Sequence, residues 1–485
     1  MLVLVIAPVS CALKFKMVEQ KENLDLASNS EEWSLKRFYL RKYLIVFAQE
    51  HVHFRLEELF SICSLFDISI DEQWQSLQQK NETPFVVIEL ENDGAAKQIA
   101  SRSILIKSIF KLYGCADNLE ELVEILKQYN VNDIYLQGMI DDTFKINVES
   151  FNKKLSHEKK LHYIESLSFL PHTGEVDLRN PGTIFSLLLD FSTEQMLHQL
   201  TKLLFGRLVS NGQRHLIKKY SLKTRHFIGN TSMDAQLALL MANMAKCKDD
   251  SLVYDPFVGT GSILVACSHF GSYSCGSDID RTLLLGRGHP SRAQAKGKWR
   301  GKDESVRLNF KMYSLLHRYI DVWMGDQMNT ALRPCPMFDA IVTDPPYGIR
   351  EGSRKLAKAV GDQNNEVEEE IEGFKLPSTQ SCLLSDAIFN LLEFAVAFLV
   401  LHGRLVFWLP THRSTFSLQN IPLHPCLKLL YVSEQNLSAN VSRQLITMEK
   451  IREPQKDDAV SINEHSRMIH DQFRNKYFKM TDMPG

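Results

Sequence analysis

Four apolar segments between residues 252 and 343 are each followed closely by an acidic residue, and this pattern constrains the fold more than any other feature. The acids that end the segments are Asp255, Asp278, Asp326 and Asp344. Strand patterns that alternate with helix patterns predict a parallel sheet with crossover helices. The carboxyl ends of parallel strands meet at one edge of such a sheet, where ligands bind. We therefore expect an α/β domain whose site is built from these strand ends.

The first of these strand ends carries a glycine turn. The segment Asp255-Pro-Phe-Val-Gly-Thr-Gly261 directly follows a strand and opens a helix. Glycines allow the backbone to approach a ligand closely, and a helix N-terminus offers free N–H donors. The spacing matches neither the dinucleotide fingerprint nor the nucleotide-phosphate loop. Taken alone, such a turn is more often purely structural.

The acids at the second and third strand ends change that interpretation. Asp278 at the tip of the second strand can accept two hydrogen bonds from ribose hydroxyls. Asp326, after Gly325, can accept a hydrogen bond from an adenine amino group. Each acid alone would more often be a loop or helix-cap residue. Three acids at three successive strand ends predict a nucleoside site at the carboxyl edge of the sheet.

The fourth strand end indicates the reaction. Asp344-Pro345-Pro346-Tyr347 resembles the D/N-P-P-Y/F signature of amino-methyltransferases. An exocyclic aromatic amine is a poor nucleophile because its lone pair is delocalised into the ring. The Asp344 carboxylate and the Pro345 carbonyl could each accept one N–H and expose that lone pair, while two prolines stiffen the turn. Tyr347 would stack on a base withdrawn from its helix. An ordinary proline-rich turn is the alternative interpretation.

Charge is distributed unevenly along the chain. The net charge of −2 argues against a general polyanion binder. From Gln195 to Met233 there is no acid but there are seven bases, and Arg281 to Lys311 carries nine bases against two acids. The seven bases are Lys202, Arg207, Arg214, Lys218, Lys219, Lys223 and Arg225. A charge run is often a solvated face, but two runs that flank a catalytic motif favour contact with phosphates.

A separate α+β module is predicted over residues 37–170. Strand patterns cover 39–47, 84–90 and 144–148, and helix patterns cover an amphipathic segment at 54–62 and a second segment at 118–126. The module has no obvious catalytic chemistry. Its aromatic residues are more typical of a core than of an RNA-stacking surface; they are Phe47, Phe54, Phe60 and Phe66.

The remaining boundaries follow from composition. Residues 1–36 are interpreted as a disordered or variable extension, 171–227 as a basic linker, 228–453 as the α/β domain and 454–485 as a weakly ordered tail. Within the α/β domain, a helix is predicted over 384–401, and the acidic, polar stretch 351–382 is predicted to be a flexible insertion.

Cysteine usage and hydropathy bear on the cellular setting. The nine cysteines are scattered and form no C-x-x-C pair, which favours free thiols in a reducing compartment over disulfides or a metal site. The apolar start of the chain lacks a basic region and is interrupted at Pro8, unlike a signal peptide. No segment approaches the ~20 apolar residues of a membrane helix. We expect an intracellular protein without membrane or metal sites.

The chain resembles the eukaryotic tRNA guanosine-10 N2-methyltransferase family, catalytic subunit, over roughly residues 37–480. The motifs that carry the resemblance are His226-Phe-Ile-Gly-Asn-Thr-Ser-Met-Asp234, Asp255–Gly261, Lys298-Trp-Arg-Gly301, Asp344–Glu351 and Ser442-Arg-Gln-Leu-Ile-Thr-Met-Glu-Lys450. The resemblance implies a class I (Rossmann-like) methyltransferase domain with a mostly parallel seven-stranded sheet, preceded by an α+β THUMP-containing RNA-binding region. It also implies S-adenosyl-L-methionine as cofactor, tRNA as substrate, a heterodimer with a small zinc-binding activator subunit, and a cytoplasmic setting.

The family's functional residues map onto matching positions of this chain. The resemblance assigns cofactor binding to Thr231, Asp255, Phe257, Gly259, Gly261, Asp278 and Asp326, and the base site to Asp344, Pro345 and Tyr347. Two alternatives remain open from the residues themselves. One is an amino-methyltransferase acting on rRNA or on DNA adenine, and the other is an inactive homologue that serves as an RNA-binding scaffold. The basic stretches favour folded RNA, and the family match favours guanine N2.

Overall fold

The computed structural model describes most of the 485-residue chain, with gaps. The described residues are 41–70, 83–128, 142–171, 174–191, 200–229, 231–284, 304–347, 354–356, 370–371, 374–375, 379–462 and 464–473. The predicted N-terminal extension and most of the predicted insertion at 351–382 lie outside them.

The chain divides into two compact units that are interleaved along the sequence. One unit contains Val87–Lys97 and Ile109–Ser210, together with the described residues up to Ile45. The other contains Val46–Val86, Gln98–Ser108 and the chain from Asn211 onwards. Short segments of the N-terminal region therefore belong to the same unit as the predicted α/β domain.

A six-stranded sheet is formed by the N-terminal region. Its strands are β1 Arg41–Phe47, β2 Phe85–Leu90, β3 Ile106–Ala116, β4 Phe144–Phe151, β5 Thr183–Phe191 and β6 Leu200–Asn211, in the order β2-β1-β3-β6-β5-β4. The helices of this region are α1 Arg55–Leu65, α2 Asp93–Ala100, α3 Leu119–Lys127 and α4 His157–Glu165. Strands and helices lie at the positions predicted for the α+β module, of which residues 39 and 40 fall outside the described part of the chain.

Helix α3 illustrates how this region packs. Asn118 caps it by accepting the N–H of Glu121 at 2.8 Å, as short polar side chains do at helix starts. Leu122 and Leu126 lie four residues apart, hence on one helix face, and both are buried in the core cluster that also contains Phe185 and Phe205. The two phenylalanine rings are stacked with centroids 6.0 Å apart.

The linker predicted over 171–227 is wrong for β5 and β6, which are paired strands of this sheet. Both contain fully buried residues, such as Leu187 and Phe205. The bases that suggested a linker are partly neutralised within the fold. Arg207 forms an ion pair with Asp93 at 2.6 Å, so this basic residue has a structural role within the sheet region.

Helix α1 differs from the amphipathic helix that was predicted. It belongs to the same unit as the α/β domain and is buried nearly all round, including Arg55 and Glu58. The fully buried Glu58 accepts hydrogen bonds from the Ser103 hydroxyl at 2.6 Å and from the Asn243 amide at 2.8 Å. Sequence periodicity missed this because a charged residue with internal partners looks like a solvent-facing one. The core placement of Phe47, Phe54 and Phe60 is confirmed, while Phe66 is half-buried.

The second sheet has seven strands. They are β7 Leu252–Asp255, β8 Tyr273–Asp278, β9 Tyr319–Met324, β10 Phe338–Thr343, β15 Leu399–His412, β16 Leu427–Asn436 and β17 Val441–Lys450, in the order β16-β17-β15-β10-β7-β8-β9. Two short ribbons intervene: β11 Arg354–Leu356 pairs with β14 Thr379–Ser381, and β12 Glu370–Ile371 pairs with β13 Phe374–Lys375. The helices are α5 His215–Lys219, α6 Ala235–Met244, α7 Ser262–His269, α8 Arg281–Leu284, α9 Val306–Met312, α10 Leu384–Phe398 and α11 Glu464–Asp471. Among the described residues, no helix is both long enough and apolar enough to span a bilayer.

The topology of this sheet positions a site. Strands β9, β8, β7, β10 and β15 are parallel, and β17 runs antiparallel between β15 and β16. The strand order reverses between β7 and β10, and ligands bind beyond the carboxyl ends of strands at such a switch point. The predicted Rossmann-like architecture with a mostly parallel seven-stranded sheet is confirmed.

Burial explains the composition of the central strands. Ile341 and Val342 on β10, like Leu405 and Val406 on β15, are fully buried because helices cover both faces of a parallel sheet. Aromatic rings fill one side, where Tyr254 stacks on Phe338 at 4.7 Å between centroids.

Two boundaries of this domain differ from the sequence prediction. The helix predicted over 384–401 ends at Phe398, because Leu399 pairs with Phe338 and starts β15. An apolar run gives no signal for that change. The tail is also ordered in part: α11 lies at 464–471, His470 Nε2 is 2.7 Å from the Asn420 carbonyl, and Phe473 is buried. The expectation of a weakly ordered tail is therefore wrong for these residues.

Candidate active site

A buried acid at the end of β7 stabilises the glycine turn that follows this strand. Asp255 is the last residue of β7 and accepts the N–H of Phe257 at 3.0 Å and the hydroxyl of Thr343 at 2.5 Å. Burial raises the pKa of Asp255 to about 7, and the hydrogen bond from Thr343 opposes that rise. Gly259 and Gly261 both have positive φ, at 50° and 74°, which favours glycine at these positions.

The second strand end is tied to that turn. One carboxylate oxygen of Asp278 accepts the N–H of Gly259 at 2.8 Å, and the other accepts the N–H of Asp280 at 2.9 Å. The N–H of Gly325 in turn reaches the carbonyl of Asp278 at 3.0 Å. The first three strand ends are thus joined by consecutive hydrogen bonds.

The third strand end places two buried polar residues side by side. Asp326 accepts the N–H of Met328 at 2.9 Å and the side-chain amide of Asn329 at 2.8 Å, so it caps a short 3-10 helix at 327–329. Gln327 is 5% exposed, and among the described residues neither polar atom of its amide has a hydrogen-bond partner. An unsatisfied buried amide is costly unless a ligand or water pairs with it.

These features fit a cofactor that carries a nucleoside. A Cβ added to Gly259 would have no atom within 4 Å, so the turn faces open space. Acidic acceptors lie at Asp278 and Asp326, and the unpartnered Gln327 amide adjoins the second of them. The individual roles of these residues remain predictions.

The base-site motif, Asp344-Pro345-Pro346-Tyr347, lies directly after β10. Pro345 is buried, and the Asp344 side chain is 22% exposed. The Tyr347 hydroxyl donates a hydrogen bond to Asp344 Oδ1. Burial, followed by the charge of Asp344, raises the pKa of Tyr347 well above its usual value. Tyr347 therefore stays a neutral hydrogen-bond donor at physiological pH.

The base-site motif and the glycine turn adjoin each other. Thr343, which precedes Asp344, donates a hydrogen bond from its hydroxyl to the Asp255 carboxylate. The charges of Asp278 and Asp344 both contribute to raising the pKa of Asp255. The structure therefore brings together the strand ends that the sequence singled out.

The remaining candidates lie around the turn. Thr231 is exposed, and its neighbour Ser232 lies with its hydroxyl 2.6 Å from the Thr260 hydroxyl in the turn. Phe257, within the turn, is half-buried. A cofactor-binding role for either residue remains a prediction.

Sequence reasoning missed Arg443, which lies on β17. Its Nη1 atom is 3.3 Å from Asp344 Oδ2 and 3.3 Å from the Tyr347 hydroxyl. Its guanidinium carbon lies 4.0 Å from the centroid of the Trp408 ring. Arg443 falls within one of the motifs that carry the family resemblance, but nothing local in the sequence indicates its function.

The acid-free basic stretch divides into two groups. Its arginines have structural partners: Arg225 is buried and donates to Ser262 Oγ at 2.7 Å, and Arg214 pairs with Glu50 at 3.2 Å. The other group is the exposed lysines Lys218, Lys219 and Lys223, while Lys202, also exposed, pairs with Asp117 at 3.4 Å. The second basic stretch lies mostly outside the described residues.

Thiols and acids give no sign of a metal centre where the chain is described. Eight cysteines in that part of the chain are free thiols, and no cluster of His, Cys, Asp or Glu has the arrangement needed to hold a metal ion.

Two protein-family models match the chain. One, described as the Tmrp11 THUMP N-terminal domain, matches residues 41–214. The other, described as an RMKL-like methyltransferase domain, matches residues 223–370. Together they cover both the six-stranded sheet and the strand ends described above.

Curated relatives align over most of the chain. The tRNA (guanine(10)-N(2))-methyltransferase TRMT11 of Mus musculus is 42% identical over 450 residues, which is 90% of this chain and 95% of the relative. The Homo sapiens protein of the same name is 41% identical over 452 residues, again 90% and 95%. The Dictyostelium discoideum protein is 34% identical over 434 residues, 85% and 82%.

Solved methyltransferase structures align with lower similarity. TrmN from Thermus thermophilus covers 84% of this chain and 100% of its own at 16% identity, with a TM-score of 0.39. A possible methylase from Clostridium difficile 630 covers 86% and 100% at 13% identity, with a TM-score of 0.40.

Proposed function

The chain belongs to the tRNA (guanine(10)-N(2))-methyltransferase family, and we propose that it catalyses the reaction for which that family is named. It transfers a methyl group from S-adenosyl-L-methionine to the exocyclic N2 amino group of guanosine 10 in tRNA. The observation that carries this is the position of Asp344 and Tyr347, directly after β10 and beside the turn that follows Asp255. An amine-binding motif next to a nucleoside site is the arrangement that this reaction requires.

Cofactor binding is assigned to the first three strand ends and the segment beside them. Asp255 and the Gly259–Gly261 turn hold the methionine portion, with Thr231 and Phe257 beside it. Asp278 accepts hydrogen bonds from the ribose, and Asp326 accepts one from the adenine amino group. When bound, the cofactor supplies an electrophilic methyl group on its sulfonium.

The base site prepares the amine. The Asp344 carboxylate and the Pro345 carbonyl each accept one N–H of the exocyclic group, which draws the nitrogen towards a tetrahedral geometry and exposes its lone pair. Tyr347 contacts the base, which must be withdrawn from its stack to enter the site. The Asp344 carboxylate, which accepts one N–H of the amine, then takes the proton that the methylated nitrogen gives up. Holding the reacting atoms in line contributes much of the rate enhancement.

RNA binding is assigned to two surfaces. The THUMP region provides one. The lysines Lys218, Lys219 and Lys223 provide the other, because they are exposed to solvent, whereas the neighbouring arginines are engaged in contacts within the protein. Folded RNA is recognised largely through its shape and phosphates.

The small zinc-binding activator subunit implied by the family resemblance would form a heterodimer with this chain, and strand β9 supports a docking site for it. β9 forms one edge of the seven-stranded sheet, and Ile320 and Met324 on it are 51% and 46% exposed. An apolar sheet edge suits a partner that adds a strand. We expect Ile320→Lys to abolish co-purification of the activator, and Leu401→Lys, at another exposed position, to leave it intact. Retention of the activator by Ile320→Lys would exclude this edge.

We assign the chain to the cytoplasm. The free thiols of the described cysteines fit a reducing compartment, and tRNA is available there. Fractionation of cells that express a tagged chain tests this assignment, which a purely nuclear or organellar signal would contradict.

Nucleoside analysis tests the reaction. The chain, co-expressed with its activator, is incubated with cofactor and an unmodified tRNA transcript, and the digested RNA is examined by mass spectrometry. We expect N2-methylguanosine from the normal transcript and none from a transcript with adenosine at position 10. Methylated adenosine would favour the alternative amino-methyltransferase, and absence of both product and cofactor binding would favour a scaffold.

A further inference from the structure

Arg443 contacts both polar side chains of the base site with a single nitrogen. Its Nη1 atom lies 3.3 Å from Asp344 Oδ2 and 3.3 Å from the Tyr347 hydroxyl, while Tyr347 itself donates to Asp344 Oδ1. The two carboxylate oxygens therefore have different partners. The Arg443 side chain is only 12% exposed, so this cation is largely withdrawn from solvent.

The guanidinium is itself held on other sides. Its Nε donates to the side-chain oxygen of Gln435 at 2.7 Å, and its planar group lies over the Trp408 ring at 4.0 Å. Stacking and hydrogen bonds of this kind fix an arginine in one orientation before substrate arrives.

The Trp408 ring is supported in turn by the N-terminal part of the chain. Trp408 is fully buried, its indole nitrogen lies 3.2 Å from the Met241 sulfur, and its ring centroid is 5.9 Å from that of Phe54. Phe54 precedes helix α1, inside the region matched by the THUMP family model. A continuous series of contacts thus leads from Phe54 through Trp408 and Arg443 to Asp344.

We propose that Arg443 is a positioning residue that orients the Asp344 carboxylate towards the amine. The inference rests on the proposed function, since Asp344 must be the amine acceptor. By binding Oδ2, Arg443 restricts rotation of the carboxylate and balances its charge as solvent is excluded. A lysine at this position cannot reproduce it, because an ammonium lacks the planar group that stacks on Trp408 while donating to Gln435 and Asp344.

The test compares Arg443→Ala and Arg443→Lys with wild type and with the control Arg413→Ala. Arg413 also pairs with an acid of this domain, Glu434 at 3.5 Å, but within the described part of the chain no contact links it to Asp344. We measure the single-turnover rate at saturating cofactor and tRNA, the Kd for each, and the melting temperature. We expect both Arg443 variants to lose about 100-fold in rate, as for a misplaced catalytic group, with both Kd values nearly unchanged. Added guanidinium should restore part of the rate of Arg443→Ala alone.

Each other outcome overturns the inference. An unchanged single-turnover rate in both Arg443 variants excludes a positioning role. A loss confined to tRNA affinity would make Arg443 a phosphate contact, and a loss that parallels melting, without rescue by guanidinium and absent from Arg443→Lys, would make it structural. Failure of the wild-type protein to form N2-methylguanosine would instead refute the proposed function.

Discussion

The hydroxyl of Thr343, the last residue of β10, donates to the Asp255 carboxylate, at the end of β7, over 2.5 Å. This bond crosses the point where the strand order reverses, and it joins the residue before the base-site motif to the acid below the glycine turn. The proposed methyl donor and methyl acceptor therefore meet at one place in the sheet.

Cofactor affinity should depend on pH through Asp255. Its pKa is raised to about 7 by burial, so the carboxyl becomes protonated below that pH and can no longer balance a cationic ligand. We expect the Kd for S-adenosyl-L-methionine to be flat above pH 7 and to rise about tenfold per pH unit below it. Calorimetry between pH 5.5 and 8.5 measures this, and a flat profile would contradict it.

Thr343→Val should move that midpoint upwards. The Thr343 hydrogen bond lowers the pKa of Asp255, so its loss leaves the burial effect less opposed. Thr343→Ser, which keeps the hydroxyl, is the matched control and should retain the wild-type midpoint. A downward shift in Thr343→Val would show that another group governs the titration.

Asp278→Ala should weaken cofactor binding by about 100-fold, the equivalent of two charge-assisted hydrogen bonds. Asp280→Ala removes an exposed acid two residues away, whose side chain accepts the N–H of Leu283 at 3.0 Å, and should bind the cofactor normally. Equal affinities for the two variants would remove Asp278 from the ribose site.

Replacing Lys218, Lys219 and Lys223 with alanine should weaken tRNA binding and reduce its salt dependence. If each lysine contacts one phosphate, the slope of log K against log salt falls by about 2. The exposed pair Lys428 and Lys456, also changed to alanine, is the control. A weaker affinity with an unchanged slope would mean that the triple variant perturbs folding and leaves phosphate contacts intact.

Glu58→Ala should destabilise the compact unit that contains the seven-stranded sheet. The change removes the acceptor of the Ser103 hydroxyl and of the backbone N–H groups of residues 104 and 105, and one of the two acceptors of the Asn243 amide. Breaking a buried network of this kind costs about 3 kcal/mol. Chemical denaturation measures the free energy of unfolding, and a double-mutant cycle with Asn243→Ala should give non-additive losses. Additive losses would mean that the contact contributes little.

The sequence predicted the strand ends because each is marked locally, by an acid after an apolar run. It could not predict Arg443, which is 99 residues from Asp344 and meets it only through the pairing of β17 with β15. The burial of Glu58 could not be predicted for a related reason, because its hydrogen-bond partners lie 45 to 185 residues away. The linker prediction failed because the bases of β6 are neutralised by acids from distant segments, such as Asp93 for Arg207.

The central claim is that Asp344 activates the amine, and the most direct measurement is the rate of N2-methylguanosine formation by Asp344→Ala in a single turnover. We expect a loss of at least about 100-fold with unchanged cofactor affinity, while Asp339→Asn, at the other end of β10, retains the wild-type rate. Undiminished product from Asp344→Ala, or a methyl group on a ring nitrogen or ribose, would contradict the claim.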